Sequence, residues 1–258
     1  MELSATFAGT FKIVPADVQQ VEVVGNITPI QHARKVISSV AQQSDRAILF
    51  YSGGKDSLVL LDLMAPHFKE ILCVFMYFVK DMRHIQPYLD HIGNYPNARL
   101  IQVPHFMLNA IFRVGRYCVP NPKIKAKTLK HLDKAIRAKE NIDWSFCGWK
   151  KADNMVRLLA LRRYEDEAVC IESQKAYPLS IWNKADVLAY IRHKQLPQPV
   201  DYGQTKASAG LMFDPDVFAW LRVHYPDDLE KIYQVFPMSR QILYEYDRRK
   251  QAEQIPEI

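Results

Sequence analysis

The chain alternates short apolar runs with stretches whose apolar residues recur every three or four positions. Arg46–Tyr51 (RAILFY), Glu70–Tyr77 (EILCVFMY), Arg99–Val103, Trp144–Cys147 and Ala168–Ile171 read as five strands. The longer of these runs are almost continuously apolar, as strands buried on both faces are. Helical patterns separate them. Thr28 and Pro29 form a cap and first-turn pair opening a helix through Ala41, and Asp56–Ala65 makes a second that ends near Pro66. Met82–Ile92, a segment from about Lys125, and Lys151–Tyr164 continue the series, and Val21–Val24 suggests a further strand near the start. From Asp214 onward the pattern is helical only: Asp214–Val223, Asp227–Val235 and Met238–Ala252. Strands alternating with helices predict an α/β fold, a Rossmann-like five-stranded parallel sheet with helices on both faces, followed by a helical C-terminal region. The expected divisions are an N-terminal segment 1–27, a sheet domain 28–213 and a helical region 214–258. The sequence contains no internal repeat.

Composition adds one constraint and charge adds another. The 258 residues are 48% hydrophobic and 24% charged, ordinary for a globular chain with a full core. No apolar run approaches the ~18–20 residues of a membrane helix, and the first residues have no basic segment ahead of an apolar one. The net charge is +6, but it is not evenly spread. Residues 113–139 hold nine Lys or Arg and one acid, Asp133, a local +8 that leaves −2 for all the rest. Arg113, Arg116, Lys123, Lys125, Lys127, Lys130, Lys134, Arg137 and Lys139 make up that segment. The spacing of Lys123, Lys127, Lys130, Lys134 and Arg137 predicts a basic stripe on one helix face, opposite Leu129, Leu132 and Ile136. Three readings stay open for it: a solvated face, a mouth that attracts an anionic ligand, or a contact to DNA or RNA.

Four cysteines, Cys73, Cys118, Cys147 and Cys170, lie far apart with no CxxC spacing. They read as free thiols in a reducing cytoplasm, with neither zinc nor an iron–sulfur cluster expected. The eight histidines are scattered; His84 and His91 read as surface or capping residues, and His105 as a loop residue near the ligand edge.

The most informative segment is Tyr51-Ser52-Gly53-Gly54-Lys55-Asp56-Ser57, placed between the first strand and the helix after it. Two glycines permit a tight turn and close approach to a phosphate. The helix start offers N–H groups and a favourable dipole to an anion. Lys55 adds a point charge, Ser52 and Ser57 add hydroxyls, and Asp56 is a candidate helix cap or Mg²⁺ ligand. The segment is not a GxxxxGK[ST] loop. It resembles the SGGxDS loop of the PP-loop ATP pyrophosphatases, or adenine nucleotide α-hydrolases.

Two further segments narrow the resemblance. Gly148-Trp149-Lys150-Lys151-Ala152-Asp153-Asn154-Met155-Val156-Arg157 is similar to the GxRxxESxxR segment of the phosphoadenosine phosphosulfate (PAPS) reductase and ATP sulfurylase small-subunit family. Gly148 and Arg157 match, and Lys150, Asp153 and Asn154 replace Arg, Glu and Ser. Tyr177–Trp182, Asp186–Ile191 and Leu196-Pro197 are similar to that family's PLxxWxxxDVxxYIxxxxLP signature, with Trp182 and Tyr190 read as packing residues. The resemblance spans about residues 46–213. It implies a PP-loop fold in which Ser52, Gly53, Gly54, Lys55, Asp56, Ser57, Tyr77 and Gly148 bind ATP or a related adenine nucleotide. It also implies catalytic roles for Lys55, Asp56, Lys150 and Arg157, and an anion site at Lys150, Lys151 and Arg157.

Departures from the family are equally specific. No cysteine follows Cys170, so the C-terminal ECGLH-like thiol of the reductases is missing. Ser208–Phe213 stands where cluster-bearing members have SIGCxxC, with Leu211 at a cysteine position. Met76–Lys80 replaces the DTG that often follows the second strand, and the cysteines of RNA-thiolating relatives are absent. The expected activity is therefore ATP cleavage at the α-phosphate, adenylylating a small oxyanion with release of pyrophosphate and with Mg²⁺ as companion ion. A nucleic-acid-modifying or defence-type relative using residues 113–139, and a non-catalytic nucleotide-binding regulator, are the alternatives. A protein partner or homo-oligomer stays open, and no membrane association is expected.

Overall fold

The computed structural model describes residues 27–198 and 213–253. The suggested strand Val21–Val24 and residues 199–212, including Leu211, lie outside the described residues. Helix α1 (Pro29–Ala41) opens with a reciprocal capping box between Thr28 and Gln31. Strand β1 (Arg46–Phe50) leads through the phosphate-loop segment into α2 (Lys55–Met64). Then come β2 (Glu70–Tyr77), the short α3 (Gln86–Asp90) with a 3-10 turn after it, β3 (Ala98–Pro104), α4 (Leu108–Val114) and α5 (Leu129–Glu140). Strand β4 (Ser145–Phe146), α6 (Met155–Leu161), β5 (Val169–Cys170), β6 (Lys175–Ala176) and α7 (Lys184–Lys194) complete the sheet region. The C-terminal helices are α8 (Pro215–His224), α9 (Pro226–Val235) and α10 (Arg240–Glu253).

The sheet has six strands in the order β3-β2-β1-β4-β6-β5. Every pairing is parallel except β5 with β6. The fifth parallel strand is therefore Lys175–Ala176, and the run at Ala168–Ile171 forms an antiparallel edge instead. A two-residue strand has no periodicity to read, which is why Lys175–Ala176 escapes the sequence pattern.

Alternate side chains of the central strands feed two cores. Ala47, Leu49, Ile71 and Cys73 pack with α1, α2 and α7 on one face. Ile48, Phe50, Leu72 and Val74 pack with Ile136 of α5 and Leu161 of α6 on the other. Trp182 is buried and its Nε1 donates to Pro29 O at 2.8 Å, tying α1 to the far end of the sheet region. A third core joins the C-terminal helices to the chain after β2 and to α4: Phe218, Leu221, Ile232 and Phe236 meet Val79, Met82, Leu108 and Ile111.

Helix boundaries differ where local capping overrides the apolar pattern. Thr128, not Lys125, caps α5, so Lys123, Lys125 and Lys127 precede the helix. Asn154 caps α6, so Lys150 to Asp153 form a turn rather than a first helical turn. No described helix is long and apolar enough to cross a membrane.

Candidate functional site

Strand β1 delivers the glycine loop to the carboxyl edge of the sheet, where ligands bind in open α/β folds. Tyr51 continues the ladder through Tyr51 N to Val74 O at 3.0 Å, and its buried hydroxyl donates to Tyr88 O at 2.7 Å. Gly53 takes φ +72°, and a Cβ there would stand 3.3 Å from Tyr88 Cβ, so the turn needs glycine both for its backbone and for its neighbour. Gly54 is the N-cap of α2 and no side chain caps the helix, which leaves first-turn N–H groups for an anion. Ser57 Oγ donates to Gly54 O at 2.8 Å and lies 3.3 Å from Ser52 Oγ, so both hydroxyls are gathered into the loop.

The turn after β4 closes on this loop. Gly148 lies against α2 so tightly that a Cβ would meet Asp56 Cβ at 3.0 Å. Lys150 follows, almost fully buried, with Nζ 2.8 Å from Asp56 Oδ2 and 3.1 Å from Asp153 Oδ1. Lys55 Nζ approaches the same Asp56 oxygen at 3.1 Å. Asp153 in turn pairs with Arg157, whose guanidinium lies 5.0 Å from the Trp149 ring centroid. The five side chains Lys55, Asp56, Lys150, Asp153 and Arg157 thus form one line of alternating charge, three cations to two acids. Burial alone would raise the Asp153 carboxyl, but Lys150 and Arg157 outweigh it and hold it below the usual value.

This line brings together Lys55, Asp56, Lys150 and Arg157, the four residues expected to be catalytic. Lys151 forms an ion pair with Glu167 and, among the described residues, none with a member of this line. Tyr77 lies at the carboxyl end of β2, its carbonyl accepting from His105 N at 2.8 Å. Asp153 is the member that sequence reasoning treated only as a replacement for Glu. Its place four residues before Arg157 fits that ion pair, but gives no hint of its link to Lys150. Asp56 keeps one oxygen, Oδ1, buried without a hydrogen-bond partner among the described residues. No described group of three His, Cys, Asp or Glu is gathered for a metal ion.

Other candidates resolve differently. Arg137 leaves the expected basic stripe: it bonds Asp133 Oδ1 at 2.9 Å, Ser145 Oγ at 2.6 Å and Gln174 O at 2.9 Å. His84 is not a surface or capping residue but is buried, with Nδ1 2.8 Å from Asp228 Oδ2. Burial pushes the Cys73 and Cys147 thiols up to about 12, so neither is a thiolate near neutral pH.

The fold and the glycine loop define an α/β protein of the PP-loop class. A family model for the phosphoadenosine phosphosulfate reductase domain matches residues 46–210, and the chain belongs to that family. No curated protein matches it. Among solved structures it is similar to the U34-tRNA thiolase NcsA from Methanococcus maripaludis with its [4Fe-4S] cluster, at 13% identity and TM-score 0.47, covering 88% of this chain and 78% of that one. It is also similar to the NH3-dependent NAD synthetase from Campylobacter jejuni in complex with the nitrate ion, at 13% identity and TM-score 0.43, covering 90% of this chain and 99% of that one. The first of these corrects one expectation. A cluster-bearing protein stands among the structures this chain resembles, so the wide cysteine spacing does not license the statement that no iron–sulfur cluster is bound.

Proposed function

We propose that the protein binds ATP, or a related adenine nucleotide, at Ser52–Ser57 and cleaves it at the α-phosphate. The observation that carries the reading is the line from Lys55 through Asp56 and Lys150 to Arg157, set against the uncapped start of α2. In this reading the loop N–H groups and Lys55 hold the β- and γ-phosphates. Lys150 and Arg157, fixed by Asp56 and Asp153, set a positive potential where charge gathers on the α-phosphate oxygens in the transition state. An oxyanion oxygen of the acceptor forms a bond to the α-phosphorus. The bond from that phosphorus to the bridging oxygen breaks, and pyrophosphate leaves with the electron pair. The acceptor becomes adenylylated. Asp56 Oδ1 is the atom that would meet a magnesium ion arriving with the nucleotide, which supplies charge neutralisation when bound. Burial keeps the Cys73 and Cys147 thiols protonated, so neither is the attacking group in this reading.

The test is calorimetric ATP binding together with pyrophosphate release across a panel of oxyanions, sulfate included. Wild type should bind and turn over, and Lys55→Ala should lose at least about 100-fold in rate, the scale of one lost transition-state contact. Binding without release on any acceptor would favour a nucleotide-sensing regulator. Absence of both would remove the proposal.

A further inference from the structure

The local +8 of residues 113–139 acquires a different meaning once its acid is located. Asp133, the single acid of the stretch, is buried and held by Arg137 and by Lys175 at 3.0 Å. Asp133 and Arg137 cancel internally, and the remaining eight cations are all exposed. Lys123, Lys125, Lys127, Lys130 and Lys134 form no ion pair with a described residue. Elsewhere many exposed cations meet acids, as in Lys35 with Asp166 and Arg222 with Asp247. A solvated face would show the same mixture of signs; this one has a single sign throughout.

The position of the row is also fixed. Asn109, in the first turn of α4 just beyond the carboxyl end of β3, donates to Lys125 O at 2.9 Å. Helix α5 starts at Thr128 beside this loop and ends at Asn141, whose carbonyl accepts from Arg46 at the amino end of β1. The loop and the first turn of α5 therefore stand at the carboxyl edge, the edge that carries Ser52–Ser57. Lys130 and Lys134 continue from there along the outer side of α5, away from buried Asp133 and Ile136.

We propose that this row binds the phosphate backbone of a nucleic acid and leads it to the nucleotide edge of the sheet. An extended row of one sign, carried on flexible lysine stems, suits a repeating phosphate chain rather than one small anion. The exposed residues between Lys123 and Lys134 are Ala126, Thr128 and His131; Ile124, Leu129 and Leu132 are half-buried, and the two leucines pack against the core. They offer no exposed aromatic or leucine face for insertion into lipid. The one ring among them, His131, is engaged in the Thr128 cap, so bases have no stacking platform. The contact is to backbone and is indifferent to base sequence. The proposal stands apart from the adenylylation reading, since it needs no bound ATP.

The experiment is fluorescence polarisation of the full chain with a labelled DNA duplex of about 30 base pairs and with an RNA hairpin, without nucleotide, from about 50 to about 200 mM KCl. Wild type should bind at least one of them with a log K against log salt slope of about −4.5, since five neutralised phosphates contribute about 0.9 each. Lys127→Gln/Lys130→Gln/Lys134→Gln should flatten the slope by about 3 and weaken binding at about 100 mM salt at least about 10-fold. ATP affinity should be unchanged in that variant. Lys123→Gln/Lys125→Gln, confined to the loop, should flatten the slope by about 2. No binding by wild type at the lowest salt would overturn the proposal, as would variants that bind like wild type. Tighter binding to phosphatidylserine vesicles than to either nucleic acid would assign the row to a lipid surface and overturn it too.

Discussion

Lys150 Nζ sits 2.8 Å from Asp56 Oδ2, so that a side chain from the turn after β4 closes on the first turn of α2. The lysine is almost fully buried, and its ammonium is balanced by Asp56 and Asp153 together. Lys150→Met keeps the length of the stem but removes the buried cation between Asp56 and Asp153, leaving those acids to Lys55 and Arg157 alone. The expected loss is about 3 kcal/mol, the scale of breaking a buried pair. For a chain of this size that lowers the melting temperature by about 6–12 °C. Asp56→Asn leaves Lys150 to Asp153 alone and should cost less. The double variant should be milder than the sum of the singles, by about 1–3 kcal/mol. Strict additivity in urea titrations would show that the two charges do not act as a unit.

Gly148 carries a second prediction on the same contact. A Cβ at this position would stand 3.0 Å from Asp56 Cβ, close to the helix backbone rather than to the end of a flexible side chain. Gly148→Ala must therefore push the turn and α2 apart, at a cost of about 1–3 kcal/mol. Because the displaced helix start is the candidate phosphate site, ATP affinity should fall by several-fold. Gly93→Ala is the control, since a Cβ there meets nothing within 4 Å. Equal ATP affinities for the two variants, measured by calorimetry, would uncouple Gly148 from the site.

The contrast between the glycine loop and its partners shows what a sequence can carry. Ser52–Ser57 is contiguous, and its turn, helix start and hydroxyl contacts are all made within six residues, so local chemistry reveals it. The Thr28 cap with Pro29 is legible for the same reason. Lys150 is ninety-four positions beyond Asp56, and nothing in the spacing shows that the turn after β4 folds it inward rather than leaving it to a substrate. The same limit hides Asp133: a lone acid in a basic stretch looks like a gap in a stripe, whereas burial makes it the anchor for Arg137 and Lys175. Strands β4 and β6 are two residues each, held by their neighbours rather than by their own pattern.

His84 and Asp228 illustrate the long-range case and give a third prediction. Asp228 is fully buried; it accepts from Arg83 N at 2.8 Å, His84 N at 2.9 Å and the His84 ring at 2.8 Å. Burial would raise its carboxyl, yet the two backbone N–H groups and the ring hold it below the usual range. This carboxylate links the start of α9 to the chain after β2. Asp228→Ala orphans two backbone donors and should cost about 3 kcal/mol, counting about 1–3 for each unsatisfied group. Hydrogen exchange should rise in α8 and α9 while β1 and β2 stay protected. Uniform loss of protection over the whole chain would mean that the C-terminal helices do not loosen separately.

His105 supplies a pH dependence whose sign follows from its surroundings. Its ring stacks on Phe78 with centroids 4.2 Å apart and on Phe106 at 4.5 Å. Its Nδ1 accepts from Met107 N at 3.2 Å, which requires that nitrogen to be unprotonated. Burial lowers the group from 6.5 to about 4. Between those values the unfolded chain holds a proton that the folded chain refuses, so stability rises with pH there. The contribution is complete above 6.5 and is lost as pH falls through about 4. His105→Phe keeps an aromatic ring between Phe78 and Phe106 and removes the titration. Urea unfolding at about pH 7.5 and about pH 5 should show wild type losing about 1–2 kcal/mol more than the variant, because each pH unit between the two titrations is worth about 1.4 kcal/mol. Other histidines with lowered values, His67, His84 and His91, titrate alike in both proteins and drop out of the difference. Parallel losses in the two proteins would mean that the ring accepts its proton without leaving its place against Phe78.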